Sequence, residues 1–159
     1  MDVHVEVARE ATDELVAAFG RLVPQLSSTA EPLDRAAAGR ILACAANTVL
    51  MARAEGTIVG TLTLVLFPVP SGLRGRIEDV VVDGAARGRG IAALLTNEAL
   101  RIAGEAGART VDLTSRPDRT AANRLYERLG FRRRESTVHR FSVESDRQTV
   151  ASGEAPGVA

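Results

Sequence analysis

Residues 76–95 read Arg76-Ile77-Glu78-Asp79-Val80-Val81-Val82-Asp83-Gly84-Ala85-Ala86-Arg87-Gly88-Arg89-Gly90-Ile91-Ala92-Ala93-Leu94-Leu95. A β-branched strand runs into a loop of small residues carrying Arg87 and Arg89, and the loop opens a helix at about Ile91. Glycines let backbone N–H groups crowd against phosphate oxygens. The first turn of a helix adds unpaired donors and the positive end of its dipole, and two guanidiniums add full charge. The order of strand, Gly-rich loop and helix therefore reads as a clamp for a diphosphate. Solvated surface arginines are the alternative for Arg87 and Arg89, but two of them around paired glycines before a helix favour phosphate.

Working outward, the helix from Ile91 to Ala106 turns Ile91, Leu94, Leu95 and Ile102 inward and stops at Gly107. Thr110 to Thr114 follows as strand five, reached by a crossover and so parallel to strand four, Ile77 to Asp83. Upstream, Val3, Val5 and Val7 alternate with polar neighbours as strand one, and Thr12 or Asp13 caps a helix carrying Leu15, Val16, Phe19, Leu22 and Val23. A second helix spans roughly Leu33 to Ala46. Thr48 to Arg53 and Ile58 to Phe67 form a hairpin around Glu55-Gly56, and Pro68-Val69-Pro70-Ser71-Gly72 ends its second strand. After strand five, Pro117-Asp118 opens a short helix with Ala122, Leu125 and Leu129 inward and Gly130 as its cap, followed by strands around Phe131 to Glu135 and Thr137 to Val143.

The 159 residues are 45% hydrophobic, which suits one domain with a real core. Residues 1–145 form that domain, and the small, polar stretch 146–159 is expected to be a disordered tail. No apolar run is long enough to span a bilayer, so no membrane partner is expected. The formal net charge is zero and the aromatics are only Phe19, Phe67, Phe131, Phe141 and Tyr126, which argues against nucleic acid. The N-terminus lacks the pattern of a secretory signal, and the sole cysteine, Cys44, excludes an internal disulfide, so a cytoplasmic location is expected. Cys44 reads as a small core residue. His4 and His139 lack partners at ligand spacing, so no metal is expected. All twenty basic residues are arginine.

Two segments carry a resemblance. Arg87-Gly88-Arg89-Gly90-Ile91-Ala92 matches the pattern of Gln or Arg, two free positions, Gly, one free position, then Gly or Ala. Some thirty residues on stands Ala121-Ala122-Asn123-Arg124-Leu125-Tyr126-Glu127-Arg128-Leu129-Gly130-Phe131, with an Asn, a Leu-Tyr pair and a Gly-Phe ending. Together they resemble the GNAT superfamily of acyl-CoA-dependent N-acetyltransferases. The resemblance implies a mixed α/β fold: a mostly antiparallel sheet of six to seven strands, flanked by about four helices, whose parallel strands four and five splay apart to admit the pantetheine arm of acetyl-CoA. It implies acetyl-CoA as co-substrate, bound by Val80, Val81 and Val82 of strand four, by Arg87, Gly88, Arg89, Gly90, Ile91 and Ala92, and by Asn123. The implied partner is a small-molecule or peptide amine, with specificity set by residues 12–46 and 67–75, and a homodimer through Thr137 to Val143 is conceivable in this family.

Acetyl transfer to a primary amine needs the neutral amine. With an ordinary ammonium pKa of about 10.4, roughly 4 to 5 kcal/mol of proton affinity must be overcome at pH 7. Glu78 is the candidate general base, directly or through water. Its alternative is an ion pair with a nearby arginine such as Arg76. Direct attack makes a tetrahedral intermediate whose oxyanion a backbone N–H near Val80 can stabilise, and the departing thiolate takes a proton from Tyr126, where the family often places that acid. Tyr126 could instead pack under the sheet, and Asn123 could be an ordinary first-turn polar residue. Two other readings compete. A non-catalytic acyl-CoA-binding module keeps the same clamp. A Rossmann dinucleotide site also fits Gly88-Arg89-Gly90-Ile91-Ala92-Ala93, but Asp112 falls inside its strand and a hairpin precedes the loop.

Overall fold

The computed structural model describes residues 2–143. Their elements run β1 (Val3–Val7), α1 (Asp13–Leu26), α2 (Arg35–Ala43), β2 (Asn47–Ala54), β3 (Thr57–Val69), β4 (Gly72–Val82), a 3-10 turn (Gly84–Ala86), α3 (Ile91–Glu105), β5 (Thr110–Asp112) and α4 (Thr120–Arg128). One sheet has the order β1-β2-β3-β4-β5, antiparallel throughout except that β5 lies parallel to β4. A mixed α/β fold of this kind is not the doubly wound parallel sheet of a dinucleotide domain. Among the described residues no helix is long and apolar enough to cross a membrane. The tail expected over 146–159 lies outside the described residues.

The sheet is sandwiched. On one face Leu50, Ala52, Leu62, Leu64 and Ile77 pack with Ile91, Leu95, Ala99 and Ala103 of α3; on the other Val49, Ile58 and Val81 meet Leu15, Ala18, Phe19 and Leu22 of α1 and Ala38 of α2. Burying each large aliphatic side chain here contributes about 1.5 to 3 kcal/mol before chain entropy is counted. Local chemistry fixes the helix starts. The Thr12 hydroxyl accepts from the Leu15 N–H at 3.2 Å, and the Asp34 carboxylate accepts from the Ala37 N–H at 2.7 Å. In α3 the buried positions recur every fourth residue, so Leu94 falls outside the stripe and is 43% exposed. Cys44, at the end of α2, is likewise exposed rather than in the core.

Two expectations about strands give way. Pro68 does not end β3: it pairs with Leu73, and Val69 with Gly72, so residues 67–75 form a tight hairpin instead of a loop. This is tolerated because β2 pairs with β3 only as far as Val65, leaving the edge where the proline lacks its N–H unpaired. Among the described residues the expected six to seven strands are five, and neither Phe131 to Glu135 nor Thr137 to Val143 is a strand. Three consecutive arginines supply no apolar face, Val138, Phe141 and Val143 are 66%, 76% and 57% exposed, and the three-residue β5 offers little edge to pair with. Among the described residues, Thr137 to Val143 therefore offers no strand edge.

Two irregularities free the C-terminal half of β4 from a regular ladder. Its pairing with β5 is confined to Arg74, Gly75 and Arg76 against Thr110, Val111 and Asp112, so Ile77 to Val82 have no β5 partner and the two strands part. Its pairing with β3 slips: Thr63 faces Glu78 whereas Thr61 faces Val81, which leaves Asp79 and Val80 out of register. Asp79 absorbs the slip with φ +52°, and the bulge reverses the alternation, sending Ile77 to one core and Val81 to the other.

Candidate functional site

Beside the open stretch of β4 lies a cavity of about 320 Å³. Val80, Val81 and Val82 form one wall. Arg87, Gly88, Gly90, Ile91 and Ala92 form its end, Gln25 and Leu26 come from the last turn of α1, and Ala122, Leu125 and Tyr126 project from α4. The sequence reading placed nine residues here that the fold does bring together: the three valines, Arg87, Gly88, Gly90, Ile91, Ala92 and Tyr126.

The end wall is built for an anion. Gly88 and Gly90 take φ +78° and +75°, the left-handed conformation that glycine adopts without a Cβ penalty, and Gly90 is the N-cap of α3. No side chain caps that helix, so its first-turn N–H groups are not taken up by a capping side chain. The Arg87 side chain is held by a long contact from Nε to the Val82 carbonyl, 3.4 Å. Gln25 ties α1 to the same corner, its side-chain oxygen accepting from the Gly84 N–H at 2.9 Å. Among the described residues, the charged groups lining the cavity are three guanidiniums, Arg87, Arg119 and Arg128, with no carboxylate.

Tyr126 packs edge-on against Phe131, with ring centroids 5.7 Å apart at 66°. Burial holds its phenol above the ordinary tyrosine range, and the positive charge of Arg119 works against that rise. Val80, on the β4 wall, stands out of register with β3 at the bulge.

Three expected site residues stand outside the lining. Glu78 takes the ion-pair alternative: its carboxylate accepts from Arg76 Nε at 2.5 Å, and Arg76 also donates to Thr114 Oγ1 at 2.8 Å, across the gap where β5 diverges. Its neighbour Asp79 has its carboxyl held above the usual carboxylate range, first by desolvation and then by the Glu78 charge. Asn123 instead donates from its side-chain amide to the Arg116 carbonyl at 3.0 Å, bracing the loop before α4. Arg89 lies off the lining as well. Conversely, the sequence reading missed Arg119 and Arg128. Helical phase does not place Arg119, which precedes α4 as its N-cap with a non-helical ψ of 67°.

A model described as the Acetyltransferase (GNAT) family matches residues 10–131. The structure resembles a Trypanosoma brucei acetyltransferase at 28% identity and TM-score 0.73, covering 89% of this chain and 100% of that one. It resembles an aminoglycoside acetyltransferase from an uncultured soil metagenomic sample at 25% identity and TM-score 0.69, covering 90% and 98%. A ribosomal-protein-alanine N-acetyltransferase from Brucella melitensis shares the fold at 24% identity and TM-score 0.70, covering 89% and 100%. No curated protein matches the chain.

Proposed function

Because the chain belongs to the GNAT family of acetyltransferases, we propose that it moves an acetyl group from acetyl-CoA to a primary amine. One observation carries this reading: a single cavity joins the Arg87 to Ala92 anion wall, the open valine edge of β4 and the phenol of Tyr126. The residues suit the co-substrate. Arg87 and the uncapped start of α3 match a diphosphate, and the apolar valines where β4 and β5 part match an uncharged arm. Acetyl-CoA supplies the activated thioester; the remaining work falls to the chain.

The Val80 N–H, at the bulge of β4, would donate to the carbonyl oxygen as it gains negative charge. Tyr126 would give its phenolic proton to the sulfur that leaves. Glu78, held by Arg76 one step along β4, would take the proton of the acceptor amine, directly or through water, and Asp79 beside it is the replacement that a silent Glu78→Gln would indicate. The likeness to an aminoglycoside acetyltransferase makes aminoglycosides one arm of the acceptor search, beside small amines and peptide amines.

Isothermal titration should show acetyl-CoA binding in the micromolar range and negligible binding of NADH. A panel of amines should then release CoA in the presence of at least one acceptor, and Tyr126→Phe should lower kcat with acetyl-CoA affinity little changed. The opposite ranking of the two ligands would overturn the reading. Tight acetyl-CoA binding with no release across the panel would move it to a non-catalytic acyl-CoA-binding module.

A further inference from the structure

Arg119, the N-cap of α4, and Tyr126, seven residues on within that helix, line one cavity. Helical side chains lean towards the N-terminus, which tips the phenol in the direction of Arg119. The backbone at Arg119 is pinned on both sides: its N–H donates to the Arg116 carbonyl at 3.1 Å and its carbonyl accepts from the Asn123 N–H at 3.0 Å. Its side chain makes no capping hydrogen bond, although the residue is the N-cap of α4. The guanidinium is thus carried on a pinned backbone and makes no side-chain hydrogen bond among the described residues. Tyr126 is placed in a complementary way, packed on Phe131 with no hydrogen bond to its hydroxyl among the described residues.

Resting on the acetyl-transfer reading, we propose that Arg119 is a positioning residue for Tyr126: its guanidinium makes the phenol a better proton donor and steadies the phenolate left behind. In that step the carbon–sulfur bond breaks, its electron pair goes to sulfur, sulfur takes the phenolic proton, and the negative charge that appears on the tyrosine oxygen faces Arg119 until solvent restores the proton. A buried phenol alone is a reluctant acid, because its anion loses hydration. A cation lining the same cavity offsets that loss. The field is not cancelled by neighbours. Among described residues lining the cavity, the other charged groups are Arg87 from the loop before α3 and Arg128 from α4, while α1 contributes Gln25 and Leu26 and β4 only valines. Arg128 lies two residues past Tyr126, about 200° round the helix, whereas Arg119 stands at the end of α4 towards which the phenol leans.

The chain has one tyrosine and no tryptophan, so near-ultraviolet tyrosinate absorbance reports Tyr126 alone. Arg119 is exposed and caps nothing with its side chain, so Arg119→Gln should leave the circular dichroism spectrum unchanged. In the free protein Arg119→Gln should raise the tyrosinate midpoint by about one unit and Arg119→Lys should restore it. In turnover Arg119→Gln should lower kcat roughly tenfold, with KM for acetyl-CoA changed less than about twofold, and Arg119→Lys should recover most of the loss. An unmoved midpoint in Arg119→Gln, or an equal shift in Arg128→Gln, would overturn the proposal. A shifted midpoint in a protein that binds no acetyl-CoA would overturn the acetyl-transfer reading and the leaving-group role with it, while leaving the coupling of the two side chains established.

Discussion

Asp79 occupies a conformation that L residues seldom adopt, φ +52°, next to a second carboxylate and with its own carboxyl partly desolvated. Asp and Asn are the side chains that accept this region most readily after glycine, which explains how a bulge can form without one. Its carboxyl is raised above the usual range, so the folded state prefers it protonated. The sign follows: the contribution to stability is fully present below the ordinary value of 3.8 and is lost as pH rises through the raised folded value. Asp79→Asn keeps the shape and removes the charge, so its melting temperature should exceed wild type at pH 7, and the gain should shrink as pH falls towards that ordinary value. Equal gains at both pH values, measured by calorimetry, would show that the charge plays no part. The sequence concealed this position because nothing in Ile77-Glu78-Asp79-Val80 says which residue of a period-two strand is supernumerary. Asn123 was hidden for a different reason: an Asn one turn from the tyrosine looks like a ligand contact, but its amide serves the Arg116 carbonyl instead.

At the scale of elements, the strand–loop–helix unit from β4 to α3 was readable because its glycines are demanded by backbone geometry. Gly90 makes the point testable. A Cβ there would meet nothing within 4 Å, so Gly90→Ala is penalised only through φ +75°. The cost should be about 1 to 2 kcal/mol, a fall in melting temperature of about 2 to 8 °C, with acetyl-CoA affinity reduced as the N–H groups of α3 shift. Gly104 is the matched control: it lies inside α3, is equally uncrowded and has no positive φ. Gly104→Ala should stabilise by about 0.5 to 1 kcal/mol. If both changes moved stability in the same direction, the left-handed turn would not be the reason for Gly90. The late strands were misread because β-branched residues such as Thr137 and Val138 are necessary for a strand but insufficient without a face to bury. Pro68 was misread because a proline excludes only the edge that needs its N–H, and β2 is too short to claim that edge.

Over the whole molecule, a net charge of zero hides a polarity. Between Asp2 and Asp34 seven acidic residues stand with two arginines, whereas between Leu113 and Val143 eight arginines stand with three acids. The basic stretch contains α4, and three arginines line the cavity, so the field at its mouth favours a polyanion even though the chain as a whole does not. Composition alone argues against a general affinity for polyanions but could not reveal a local one. Binding of acetyl-CoA to the folded chain alone should stabilise it by about 2.7 kcal/mol at a ligand concentration one hundred times Kd. For a chain of this size that is a rise in melting temperature of about 5 to 11 °C, whereas NADH at the same concentration should give none. The association rate should fall as salt is raised from about 0.01 to 1 M, because the Debye length shrinks from about 30 to 3 Å. Arg87→Gln should flatten that dependence, since it removes one of the three charges that face the ligand. A melting shift that NADH reproduced, or an association rate indifferent to salt, would mean that the arginine-lined end of the cavity is not where the coenzyme's phosphates sit.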